Sequence, residues 1–68
     1  MIRVKINYAQ LRQRLSAEAG RQVRYSEARE WLREAGFDVE DDDTLACDDD
    51  APLGKLRGDE ILSLERDT

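Results

Sequence analysis

Histidine is absent from this 68-residue chain, and cysteine occurs once, at Cys47. The first absence removes every nucleophilic triad that uses imidazole as its base. With a single thiol the chain can close no intrachain disulfide and assemble no Cys-based zinc site. No apolar run approaches the roughly eighteen residues of a membrane helix, and Met1 to Asn7 alternates charged and apolar residues where a secretory signal would carry an apolar core. A cytoplasmic protein without a membrane span is the expectation. Aromatic residues make up only 6% of the chain, as Tyr8, Tyr25, Trp31 and Phe37. An apolar content of 40% still suffices for a core, while 40% charged residues is well above the usual quarter. A chain this short buries only about 60% of its unfolded surface. One marginally stable domain over residues 1–68 follows, for which a bound partner or a homodimer would matter.

What the chain has in quantity is charge, and it is segregated. Residues 1–37 hold eight Lys/Arg against four Asp/Glu, giving +4; residues 38–68 hold three against twelve, giving −9 and a total of −5. Asp38, Glu40, Asp41, Asp42, Asp43, Asp48, Asp49 and Asp50 place eight carboxylates in thirteen residues with no base among them. Such a run repels itself unless something positive compensates it.

The hydropathy pattern predicts an α+β domain. Ile2, Val4 and Ile6 alternate with Arg3, Lys5 and Asn7 at strand period. Asn7 is placed to cap a helix over 8–19, with Gln10 reaching back as in a capping box, and Gly20 supplies the left-handed stop. Ser26 reads as the cap of a second helix whose Ala28, Trp31, Leu32 and Ala35 form one stripe. Gly36 closes it, and Phe37 falls where a Schellman turn sets an apolar residue against Leu32. Phe37 to Glu40 and Thr44 to Cys47 form a hairpin around Asp41 to Asp43. Pro52, Gly54 and Gly58 break any helix over 51–58. Glu60 to Arg66 forms a last strand, antiparallel to the first, with Arg3 and Lys5 facing Ser63, Glu65 or Asp67. The order strand, helix, helix, hairpin, strand overlaps that of a winged helix-turn-helix.

The acidic run does not spell a calcium loop. Counted from Asp41, position six is Ala46 where glycine is needed and position twelve is Pro52 where a bidentate Glu belongs. A solvated surface is the better reading, and no cofactor or metal is expected. Cys47 has no imidazole partner, and Asp48 to Asp50 beside it should raise its thiol pKa, so it reads as a small inward strand residue. Trp31 reads as core.

The basic set is Arg12, Arg14, Arg21, Arg24, Arg29 and Arg33, on or between the helices where a helix-turn-helix meets phosphate. Nine Arg against two Lys suits two-point phosphate binding. Against it, Glu27, Glu30 and Glu34 interleave with Arg29 and Arg33 and would repel a phosphate backbone. The expectation is therefore a small non-enzymatic binding domain, engaging a protein partner with a basic surface through Asp41, Asp42, Asp43, Asp48, Asp49 and Asp50. One alternative is a winged-helix regulator that binds nucleic acid through the six Arg, and another is a structural subunit with no ligand of its own.

Overall fold

The computed structural model describes residues 1–66. The expected order is observed: β1 (Ile2–Ile6), α1 (Tyr8–Ala19), α2 (Tyr25–Ala35), β2 (Asp38–Val39), β3 (Thr44–Cys47) and β4 (Ile61–Arg66), with 3₁₀ turns at Ala51–Lys55 and Gly58–Glu60. The strands form one antiparallel sheet in the order β2-β3-β1-β4. The alternation in β1 is what makes it central: Ile2, Val4 and Ile6 are buried on one face, and Arg3 and Lys5 are exposed on the other.

Register turns that alternation into rows across the sheet. Val39, Leu45, Val4 and Leu64 lie on the face toward the core, as do Cys47, Ile2 and Arg66. Asp38, Ala46, Arg3 and Glu65 line the other face with Thr44, Lys5 and Ser63. Arg3 pairs with Glu65 and Lys5 with Ser63, as the alternation of the two strands predicts; Asp67 lies outside the described residues. The ladder shifts register between Lys5 and Ile6, so that Ile6 meets Ile61 and Leu62 is left as the extra residue of a bulge.

The helices cover the core face. Leu11 and Leu15 of α1 and Ala28, Leu32 and Ala35 of α2 pack on Val4, Ile6, Phe37 and Leu45. Asn7 caps α1 as expected, its Oδ1 accepting the Gln10 N–H at 3.3 Å. The reciprocal half of the box does not form, because the Asn7 N–H donates to the Glu60 carbonyl at 2.8 Å and ties the helix start to the turn that leads into β4. Gly20 takes the left-handed stop at φ 70. The start of α2 differs from expectation. Ser26 lies inside the helix and Arg24 is its N-cap, because Glu27 Oε1 accepts the Arg24 N–H at 3.4 Å. The far end is the expected Schellman turn: Phe37 N–H donates to the Leu32 carbonyl and Gly36 N–H to that of Arg33, with Gly36 at φ 112 and Phe37 buried.

Candidate docking surface

The structure divides the acidic run in two. Asp41, Asp42 and Asp43 form the β2–β3 turn, Asp48, Asp49 and Asp50 follow the other end of β3, and all six are exposed. The strand between them spans about 17 Å, twice the Debye length of about 8 Å at physiological salt. Repulsion between the two triads is thus largely screened, and what remains is within each.

The first triad is held by its backbone. Glu40 and Asp41 both donate to the Thr44 carbonyl, at 2.9 and 3.3 Å, and Ile6 N–H donates to Asp43 O at 2.9 Å. The Tyr25 hydroxyl at the start of α2 donates to Asp42 O at 2.6 Å. Backbone carbonyls are thereby drawn inward, leaving the Asp41 and Asp42 carboxylates without an ion-pair or hydrogen-bond partner among the described residues. Only Asp43 is engaged, by the Thr44 hydroxyl at 3.3 Å.

The second triad is partly compensated. Asp49 Oδ1 accepts the Ala51 N–H at 3.0 Å, and Arg66 Nη1 donates to Asp50 Oδ1 at 2.6 Å. Arg3 likewise lies 3.4 Å from Glu40. The sheet thus supplies bases that the local sequence lacks.

The Arg set meets a different fate. Arg21 donates to Glu27 at 2.6 Å and Arg33 to Glu30 at 2.6 Å. The first pair holds the Glu27 carboxyl below its ordinary range. Arg12 Nε donates to the Val23 carbonyl at 3.1 Å, and the Arg29 guanidinium lies 5.8 Å from the centre of the Tyr25 ring with its Nε buried. Arg24 is exposed and makes no ion pair among the described residues.

Arg14 is the most committed of the six, and its partner is the residue that sequence reasoning missed. Glu60 is 1% exposed. Its Oε2 accepts from Arg14 Nε at 2.5 Å, and its Oε1 from Arg14 Nη2 and Arg57 N–H, both at 2.9 Å. Arg14 also donates to the Lys55 carbonyl at 3.0 Å and Glu18 at 3.1 Å, with its guanidinium 5.4 Å from the centre of the Trp31 ring. Burial alone would push the Glu60 carboxyl up, but the Arg14 guanidinium and the Arg57 N–H outweigh it and hold it low. Trp31 is therefore half-buried beneath a cation, packed against the core but outside its fully buried centre.

Tyr8 and Tyr25 pack with ring centres 4.5 Å apart. Burial, then the Tyr25 neighbour, pushes the Tyr8 phenol up to about 12. Cys47 is 4% exposed, its thiol pushed up first by burial and then by Asp49, Asp50 and Asp48. Among the described residues no three Cys, Asp or Glu side chains converge as metal ligands. No family model, curated protein or solved structure matches this chain.

Proposed function

We propose that this chain is a small non-enzymatic binding domain that engages a basic protein surface through the carboxylates at the two ends of β3. The observation that carries the reading is that half of the acidic set is free of internal partners while most of the Arg set is engaged. Asp41, Asp42 and Asp48 are exposed and unpartnered among the described residues, the first two on a turn whose backbone is fixed by Tyr25, Thr44 and Ile6. Arg12, Arg14, Arg21 and Arg33 are engaged with internal acceptors. Phosphate binding would have to break those contacts, whereas a basic surface meets Asp41, Asp42 and Asp48 with no internal contact to exchange and has only the exposed contacts of Asp43, Asp49 and Asp50 to displace. The buried Cys47 thiol, with its raised pKa, is a poor nucleophile and adds nothing in favour of catalysis. Among the described residues no helix is long and apolar enough to cross a membrane.

Two amide NMR titrations test this, one with an arginine-rich peptide and one with a short DNA duplex, each at low and moderate salt. The expected result is salt-sensitive shifts at residues 41–43 and 48–50 with the peptide, those at 41–43 being lost when Asp41, Asp42 and Asp43 are replaced by Asn. Shifts at Arg12, Arg21, Arg24, Arg29 and Arg33 with the duplex, and none with the peptide, would overturn it.

A further inference from the structure

β4 is the outer strand of the sheet, and its six residues present one row of backbone N–H and C=O groups that no strand pairs among the described residues. It is also where the helical layer stops. Along one row of the core face Leu45 and Val4 are 0% exposed, but Leu64 beside them is 38% exposed and Leu62 is 61% exposed. An unpaired edge with two bare leucines is a template for another strand.

We propose that the strand it takes is a second copy of itself, two chains pairing antiparallel through β4 with Ser63 opposite Ser63. A two-fold interface must be self-complementary, and centring it on Ser63 of the sequence Leu62-Ser63-Leu64 meets that condition by setting leucine opposite leucine. In that register each Leu62 stands opposite the Leu64 of the second copy. The four leucines share one face and fill the gap between the two helical layers. The strand carries one acid and one base, Glu65 and Arg66, so it adds no net charge to its own contact. The two β3 strands would lie five strand spacings apart, about 24 Å, a distance over which salt screens the acidic triads from one another. An edge this short makes a small interface, so the dimer depends on concentration. The pairing does not use the carboxylate triads and stands apart from the proposed function.

Sedimentation equilibrium of the full chain from micromolar to millimolar concentration tests it. The expected result is a mass that climbs toward twice the monomer value, and that stays at the monomer value in the Leu62→Lys/Leu64→Lys variant with its amide dispersion intact. A wild-type mass that never rises, or a Lys variant that associates as the wild type does, would sink the proposal. The register has its own check. Ser63→Cys places two thiols across the two-fold axis within disulfide reach, so mild oxidation of that variant should give a covalent dimer. Wild type, with only the buried Cys47, and Ala17→Cys on α1 are the controls. A Ser63→Cys yield no higher than theirs rules out pairing centred on Ser63.

Discussion

β2 closes the sheet on one side with two residues, Asp38 and Val39, while β4 closes it on the other with six. β2 packs against α2 and carries the charge of Asp38, with Glu40 next along the chain. β4 leans on β1, and while Ile61 still packs against the core, Leu62 and Leu64 lie in a region the helices do not reach. The row Val39, Leu45, Val4, Leu64 makes the lesson quantitative: the two middle residues are sealed, Val39 is half-buried against α2, and Leu64 is 38% exposed. Leucine at that position is as apolar as Leu45, so the difference lies in the width of the helical layer and not in the side chain. Shortness guards one edge. The other is anchored at its start by the Glu60–Arg14 pair and the Asn7–Glu60 backbone bond, and is otherwise open.

The comparison breaks most readily at that anchor. Glu60→Ala leaves Arg14 largely buried without its main acceptor, and loss of one partner of a buried pair costs about 3–5 kcal/mol, a large share of a small domain's stability. Urea unfolding measures it, and Arg14→Met combined with Glu60→Ala should recover part of the loss. A single-variant loss below about 1 kcal/mol, the range of exposed pairs, would mean that the anchor is not holding β4. The pH dependence follows from the same residue. The Glu60 carboxyl is held below its unfolded value, so its contribution is fully present above the ordinary carboxylate range and is lost as pH falls through the lower folded value. Glu60→Gln should flatten the acid limb of the stability profile.

The anchor was the least legible feature of the sequence. β1 could be read from Ile2, Val4 and Ile6, and the helix ends from Gly20 and Gly36, because period and left-handed stops are local properties. The hairpin was legible for the same reason, its polar turn separating two short strands. Glu60 and Arg14 lie 46 positions apart, and the one available hint was the place of Arg14 beside Leu15 on the helix. Ser26 gave a false start for α2, since a good capping residue was outweighed by the Glu27 bond back to Arg24 and the docking of Tyr25 on Tyr8 and Asp42. In β4 alternation identifies a face but not whether anything covers it. The six carboxylates of the candidate surface were legible as a composition, but how far apart the two triads stand depends on β3 being extended and buried between them.

Within one row, Leu45→Ala and Leu64→Ala sharpen the contrast. The first opens a cavity in the packed centre and should cost about 2–5 kcal/mol; the second, at the bare edge, should cost under about 1 kcal/mol for the monomer. Equal losses in dilute urea titrations would mean that β4 is covered after all. Next in size is Gly36→Ala on the β2 side, where φ is 112 and the added Cβ would lie 2.9 Å from Pro52 Cγ. A left-handed alanine costs about 1–2 kcal/mol before any clash, so this variant should lose more than Gly20→Ala, which has φ 70 and nothing within 4 Å. The reverse order would mean that the Pro52 turn gives way easily.

The smallest effect is expected where the β2 edge carries its charges. Glu40 reaches Arg3 at 3.4 Å with side chains 40% and 56% exposed, and an ion pair so open to water contributes about 0.5 kcal/mol or less. Asp38→Asn with Glu40→Gln should therefore leave the urea midpoint almost unmoved. It should leave self-association unmoved as well, because two residues of strand offer too short a ladder for a second chain to grip, whatever their charge. If the doubly neutralised variant associates more strongly than wild type, and adding Leu62→Lys does not reverse it, then charge and not length is what keeps the β2 edge closed, and the two edges differ by two side chains instead of by their architecture.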